Sequence, residues 1–259
     1  NKNDRVDAAA ICEAMSRPHM RFVGIKTVEQ QDIQAAHRIR EELVTQRTAK
    51  ANQIRGLVGE YGLIAPVGIQ QLRRALPQWL EDADNGLSTT FRALLAGLAE
   101  DLRYLDDRVA ELDEHIARTV QTHPVARRLL ELRGVGPLTA SALMSTLGDG
   151  QDYRKGRDFA ASLGLTPRQH STGGKDRLLG ISKRGDGYLR KLLVHGARAV
   201  IRHCTQKDDG LSQWLNRLMA RKHPNVVTVA LANKTARIAW TVVQNEQHYD
   251  PSLAAARAG

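Results

Sequence analysis

The sequence predicts a mainly α-helical protein: long helices of coiled-coil type, followed by a smaller basic domain built around a helix-hairpin-helix. Three observations point there. Apolar residues recur at steps of three and four over long stretches, proline and glycine fall between those stretches, and strong strand patterning is scarce.

Asp4 to Ser16 is Ala-rich and helical, ending near Arg17-Pro18, because the residue before a proline is pushed out of helical geometry. "MRFVGIK" reads as a short extended piece. From Thr27 to about Tyr61 the chain is polar and proline-free, with apolar positions Ile33, Ile39, Leu43, Ile54 and Leu57. This is one long helix, or a helix kinked near Gly56 or Gly59. A loop with Gly62, Pro66 and Gly68 and a short helix around Leu72 to Leu80 lead to a second long helix from about Ser88.

In that second helix Phe91, Leu95, Leu98, Leu102, Leu105, Val109, Leu112 and Ile116 alternate steps of four and three. Such a heptad seam, with Asp, Glu and Arg between its positions, predicts a coiled coil with the first long helix, with another subunit, or both. The plainer alternative is an amphipathic helix in an ordinary bundle. His123-Pro124 ends the pattern, and "ARRLLELRGVGPLTASALMSTLG" reads as helix, tight turn, helix. Further helices are expected at about Gly156 to Leu163, Tyr188 to Cys204 and Val226 to Gln244, before a frayed tail.

A chain of 259 residues with 42% hydrophobic content can bury a substantial core. Its 38 Lys and Arg against 28 Asp and Glu give a net charge of +10 and a pI near 9.9, which favours an anionic partner, nucleic acid above all. No run approaches the roughly 18 apolar residues of a spanning helix, and no basic amphipathic stretch carries a Trp/Phe-rich face, so no membrane partner is expected. Two distant cysteines, Cys12 and Cys204, without a CxxC or a secretory signal, fit a reduced cytoplasm. The chain opens without an initiating Met and already in helical pattern, so further sequence is expected upstream.

Two segments carry the functional signal. In "LRGVGPLTASAL" a Gly134-x-Gly136 turn joins two apolar-faced helices, with Thr139 early in the second. Glycines let the backbone approach a ligand, and a helix N-terminus offers N–H groups to an anion, so this hairpin is expected to hold a sugar-phosphate chain without reading bases. A plain helical connection is the alternative. Downstream, Thr166 to Arg202 holds nine Lys or Arg and two Asp. In "PRQHSTGGKDRLLGISKRGDGYLRKLL", Lys183 and Arg184 precede a Gly-Asp-Gly turn and Arg190 and Lys191 follow it, a layout suited to adjacent phosphates. A serine attacks phosphorus only when a base takes its proton and cations neutralise the phosphoryl oxygens. Ser171 lies beside His170, with Arg168 behind it and Gly173, Gly174 and Lys175 ahead. By spacing alone most Ser-Thr-Gly-Gly strings are simply turns.

The ordered landmarks "GVGP", "ASLGLTPRQHSTGGK" and "ISKRGDGYLR" resemble the C-terminal domain of the transposases of insertion-sequence family 110, including its 1111 subgroup and the related pilin-inverting recombinases. "KNDRVDA" resembles the last motif of that family's RuvC-like domain. The resemblance implies a chain divided into the end of a RuvC-like α/β catalytic domain (1–26), a coiled-coil linker (27–122), a C-terminal transposase domain (123–250) and a tail (251–259). It implies DNA cut and rejoined through a covalent serine link at Ser171, with Thr172 as the fallback and His170 as a candidate proton carrier. It also implies a DEDD acid set whose last two members are Asp4 and Asp7, holding Mg²⁺ with acids from an upstream sheet that this chain lacks. A structured guide RNA in some members, and a homo-oligomer (dimer or tetramer) with a shared active site, complete the expectation. Three apart at a helix start, Asp4 and Asp7 share a face and suit a hard cation, though two acids facing a helix macrodipole need no metal. The rival reading is a helix-hairpin-helix module that grips nucleic acid without catalysis.

Overall fold

The computed structural model describes residues 3–18, 20, 24–65, 67–175 and 177–251. It is mainly helical, with ten α-helices and one two-stranded hairpin among the described residues. Helix α1 spans Asp4–Ser16, capped by Asn3, whose side chain accepts from the Val6 N–H. Part of the stretch read as extended, 21–23, and the tail from 252 lie outside the described residues.

Helices α2 (Val28–Gly59) and α4 (Thr89–Thr122) are the two long helices. A reciprocal capping box starts α2: Thr27 Oγ1 accepts from the Gln30 N–H while Gln30 Oε1 accepts from the Thr27 N–H. Gly56 does not interrupt it, and Gly59 is its last residue. The two helices run antiparallel, as their ion pairs show: Arg40 to Asp113 (2.5 Å), Arg47 to Asp106 (3.3 Å) and Lys50 to Asp101 (2.9 Å). The seam residues Phe91, Leu95, Leu102, Leu105, Val109 and Ile116 are buried within the single chain. Helix α3 (Ile69–Glu81) covers the far end of the pair, where Ile54, Val58, Leu72 and Leu95 are 0% exposed.

The near end enters the second core. Ile33 of α2 and Val120 of α4 belong to the same apolar cluster as α5 (Pro124–Leu130), α6 (Pro137–Leu147) and α7 (Gly156–Ser162). Helices α8 (Gly187–Arg202), α9 (Gly210–Met219) and α10 (Pro224–Gln244) complete it. Proline at the first helical position starts α5, α6 and α10, where its missing N–H costs no hydrogen bond. Leu129, Leu143, Phe159 and Leu189 are 0% exposed at its centre. Helix α10 is long and apolar enough to cross a bilayer by length and composition, contrary to the expectation that no run approaches this. Half of that apolar window is buried inside the fold, the behaviour of a core helix.

One cluster of hydrogen bonds fastens the long pair to this core. His37 of α2, 4% exposed, reaches the Tyr188 hydroxyl with Nδ1 and Ser141 Oγ with Nε2, each at 2.8 Å. Ser141 Oγ also lies 3.0 Å from the Pro137 carbonyl. A single proton arrangement satisfies all three: Tyr188 donates to Nδ1, Nε2–H donates to Ser141, and Ser141 donates to Pro137. It requires a neutral imidazole, and burial, aided by the Arg40 charge, lowers the His37 pKa to about 4. Burial likewise pushes the Tyr188 phenol up to about 12, keeping it a donor.

Candidate nucleic-acid interface

The basic segment folds as a β-hairpin, which the sequence reading missed. Strands β1 (Pro167–Gln169) and β2 (Leu178–Ile181) pair antiparallel, Pro167 opposite Ile181 and Gln169 opposite Leu178. Beyond the strands the His170 N–H donates to the Arg177 carbonyl, and Thr172 bridges Lys175. Gly173 (φ +57°) and Gly174 (φ +76°) form the two-residue tip between them. Two successive positive φ values are what a tight hairpin of primed type demands, and glycine meets them without strain. The available signal was the Gly-Gly pair itself; the polar flanks hid it, because they lack the apolar alternation that marks a half-buried strand.

No residue of either strand is buried. A lone two-stranded ribbon is marginal in water, so this one depends on its base. There Ser182 donates to the Thr166 carbonyl (2.9 Å) and Lys183 to Gly164 (3.2 Å). A Cβ on Gly185 would lie 1.8 Å from the Ser162 carbonyl oxygen, and one on Gly164 would lie 2.3 Å from that of Arg184. Backbone therefore packs on backbone, and Lys183 itself is held at φ +55°. Arg190, from the first turn of α8, donates Nη1 to the Leu163 carbonyl (2.8 Å) and the Arg184 carbonyl (3.3 Å). Asp186 caps α8 by accepting from Leu189.

This geometry sorts the residues singled out in the sequence. Ser171 stands exposed just before the tip, and Gln169 Nε2 donates to its Oγ at 2.9 Å. Gln169 was not foreseen; two residues apart on an extended segment, the pair shares a face. Arg168, His170, Thr172, Lys175, Lys183 and Arg184 are exposed on or beside the same hairpin. Arg190 is committed to the hairpin base. Lys191 pairs with Glu41 of α2 and lies 5.1 Å from the centroid of the Tyr188 ring.

The other two groups lie elsewhere in the chain. The Gly134 turn joins α5 to α6 as expected, but Gly134 (φ +82°) faces inward: a Cβ there would come 2.7 Å from the Gly196 carbonyl oxygen. Thr139 is 6% exposed, so its side chain belongs to the core. Gly136 is exposed at the start of α6, which no side chain caps. Asp4 and Asp7 are exposed in the first turn of α1, a helix that buries none of its residues. Among the described residues no group of three or more His, Cys, Asp or Glu is placed to hold a metal. Mg²⁺ takes six oxygens, commonly one or two carboxylates with waters and substrate phosphates, so this pair fits the ion only as part of a larger set.

A helical scaffold thus raises an exposed serine on a ribbon rich in exposed cations. Comparison with known proteins makes the assignment. The sequence profile described as "Transposase IS116/IS110/IS902 family" matches residues 126–212, and a second transposase profile matches residues 1–62. A probable family 20 transposase of Pseudomonas aeruginosa is 49% identical over 252 residues, 97% of this chain and 75% of that protein. The transposase for insertion sequence element IS1111A of Coxiella burnetii is 44% identical, over 96% of this chain and 68% of its own length. A pilin gene-inverting protein of Moraxella bovis is more distant, at 24% over 60% of this chain and 49% of its own. The chain belongs to the IS116/IS110/IS902 family of insertion-sequence transposases.

Proposed function

We propose that this transposase cuts and rejoins DNA strands through Ser171. Its Oγ attacks a backbone phosphorus, forming a serine–phosphate ester as the bond from phosphorus to a deoxyribose oxygen breaks. The serine proton leaves to a base, for which His170 is the candidate, and the departing oxygen takes up a proton. Rejoining is the reverse, with the hydroxyl of another strand as nucleophile. Gln169 holds Oγ at the tip, while Arg168, Lys175, Lys183 and Arg184 offset the charge that develops on the phosphoryl oxygens. The observation that carries this reading is the placement of Ser171: exposed, hydrogen-bonded, and on a ribbon whose charged groups are nearly all cations.

Asp4 and Asp7 would contribute to an Mg²⁺ site together with acids this chain does not supply, in a RuvC-like domain of which 1–26 is the end. That ion would neutralise phosphate charge when bound. DNA is the substrate, in the bacterial cytoplasm, with a structured RNA of the element as guide. Copies of the chain assemble as a dimer or tetramer; since α2 already covers the α4 seam, the contact uses other faces of the long pair.

The test is a covalent adduct. Full-length protein carrying the whole acid set is incubated with DNA spanning an element end and resolved on a denaturing gel. The unaltered protein and Thr172→Ala are expected to carry DNA, while Ser171→Ala binds DNA but carries none. An adduct that survives Ser171→Ala places the nucleophile elsewhere. Binding without any adduct in the unaltered protein favours the non-catalytic helix-hairpin-helix module.

A further inference from the structure

A cavity among the described residues shares no residue with the hairpin. It encloses about 780 Å³ between the start of α7, α9, α10 and the segment after α10. Two of the three tryptophans of the chain line it, Trp214 and Trp240, with Tyr249 beside them. All three are partly exposed, and in a chain only 4% aromatic they are concentrated where a ligand could touch them. Trp240 is fixed in place, its Nε1 donating to the Gly150 carbonyl at 3.0 Å. The Tyr249 segment is anchored too, its N–H donating to Glu131 Oε2 at 2.9 Å.

The charge on the same wall is cationic. Lys155, Arg157, Lys234 and Arg237 line the cavity against one carboxylate, Asp250. Lys234 Nζ stands 4.9 Å from the centroid of the Trp214 ring. Aromatic faces with cations interleaved at this spacing are the chemistry of single-strand recognition: bases stack on rings, and the backbone follows the charges. A duplex, with its bases stacked on one another, offers such a pocket phosphates only. A small organic anion would use the charges and leave the rings without a role.

We propose that this cavity takes an unpaired nucleotide of a nucleic-acid strand, its base against Trp214, Trp240 and Tyr249 and its flanking phosphates on Lys155, Arg157 and Arg237. The site is separate from Ser171, so strand capture here and cleavage at the hairpin fail independently.

Binding of the intact protein to oligo-dT and oligo-rU of about twelve nucleotides, and to a duplex of equal length, tests this, read by anisotropy across a salt series. Trp214→Ala is expected to weaken single-strand binding about tenfold and duplex binding less than twofold. The double variant Arg157→Ala/Arg237→Ala, at two exposed positions, serves even where loss of the indole disturbs the core. It is expected to reduce the slope of log affinity against log salt by about 1.4 on single strands. Preference for oligo-dT or oligo-rU names the strand as DNA or RNA, and equal binding means that base and phosphate alone are read. Single-strand affinity and salt slope unchanged in the double variant would overturn the proposal, as would equal losses on duplex and single strand. Adduct formation at Ser171 is scored separately and bears on neither outcome.

Discussion

Two glycine turns on the same basic domain are used in opposite ways. At Gly134 the backbone is left-handed because the turn is pressed onto α8, with Gly134 and Gly196 meeting main chain to main chain. At Gly173 and Gly174 the backbone is equally left-handed, yet nothing lies within 4 Å of where a Cβ would stand. Positive φ alone therefore does not distinguish a glycine required by the core from one that leaves room for a partner; the surroundings do. The cations divide the same way, Arg190 and Lys191 holding the fold together while Arg168 and Lys175 face outward.

The sharpest way to break the comparison is to add one methyl at each kind of glycine. Gly196→Ala would place its Cβ 2.0 Å from the Gly134 carbonyl oxygen. Backbone cannot yield as a flexible side chain does, so a loss of about 3 kcal/mol or more is expected, seen as a lower urea midpoint. A midpoint within error of the parent would mean that the turn and α8 are not in contact.

His37 gives the next effect, and it depends on pH. Its folded pKa of about 4 lies below the unfolded value of 6.5, so between these values the unfolded chain binds more protons. The stability tied to the neutral ring is fully present above about pH 6.5 and is lost as pH falls toward 4. At ~1.4 kcal/mol per pKa unit the loss approaches about 3 kcal/mol. Urea midpoints measured from pH 7 to pH 4 should fall for the parent and fall less for His37→Gln, which cannot titrate. Parallel curves would place the acid sensitivity elsewhere.

Gly174→Ala should cost only about 1 kcal/mol, the strain of a left-handed alanine, because the added methyl meets open space. The measurement is again the urea midpoint, and a loss as large as that of Gly196→Ala would erase the contrast between the two turns.

How much of this was legible depends on what each signal reports. Helix α4 was readable because a heptad repeats over many turns and averages out local ambiguity, and α2 because a long polar stretch holds no proline. Helix α9 was missed: Gly210–Met219 is short, and its apolar positions, Leu211, Trp214, Leu215 and Leu218, make too few turns to stand out. Arg190 and Lys191 looked like phosphate ligands because sequence gives charge but not reach; their partners, Leu163 and Glu41, are distant in the chain. His37 carried no local motif, since Ser141 and Tyr188 come to it only through tertiary packing. Ser171 was singled out by an ordered set of motifs, and Gln169, which bonds to it, could be recognised only once the segment was seen to be extended.

The smallest structural effect and the most informative functional one come from the outward cations. Arg168 and Lys175 are exposed on a ribbon that buries nothing, so replacing both by alanine leaves the core untouched, and the urea midpoint should move by less than about 0.5 kcal/mol. If each neutralises one phosphate, duplex affinity should fall and the slope against log salt should drop by about 1.8 for the pair. The matching replacement of Arg190, held by two backbone carbonyls, should do the reverse, lowering stability while changing the slope little. Should Arg190→Ala change the slope as much as the outward pair does, its guanidinium serves the DNA as well as the hairpin base, and the division between inward and outward cations would have to be redrawn at that residue.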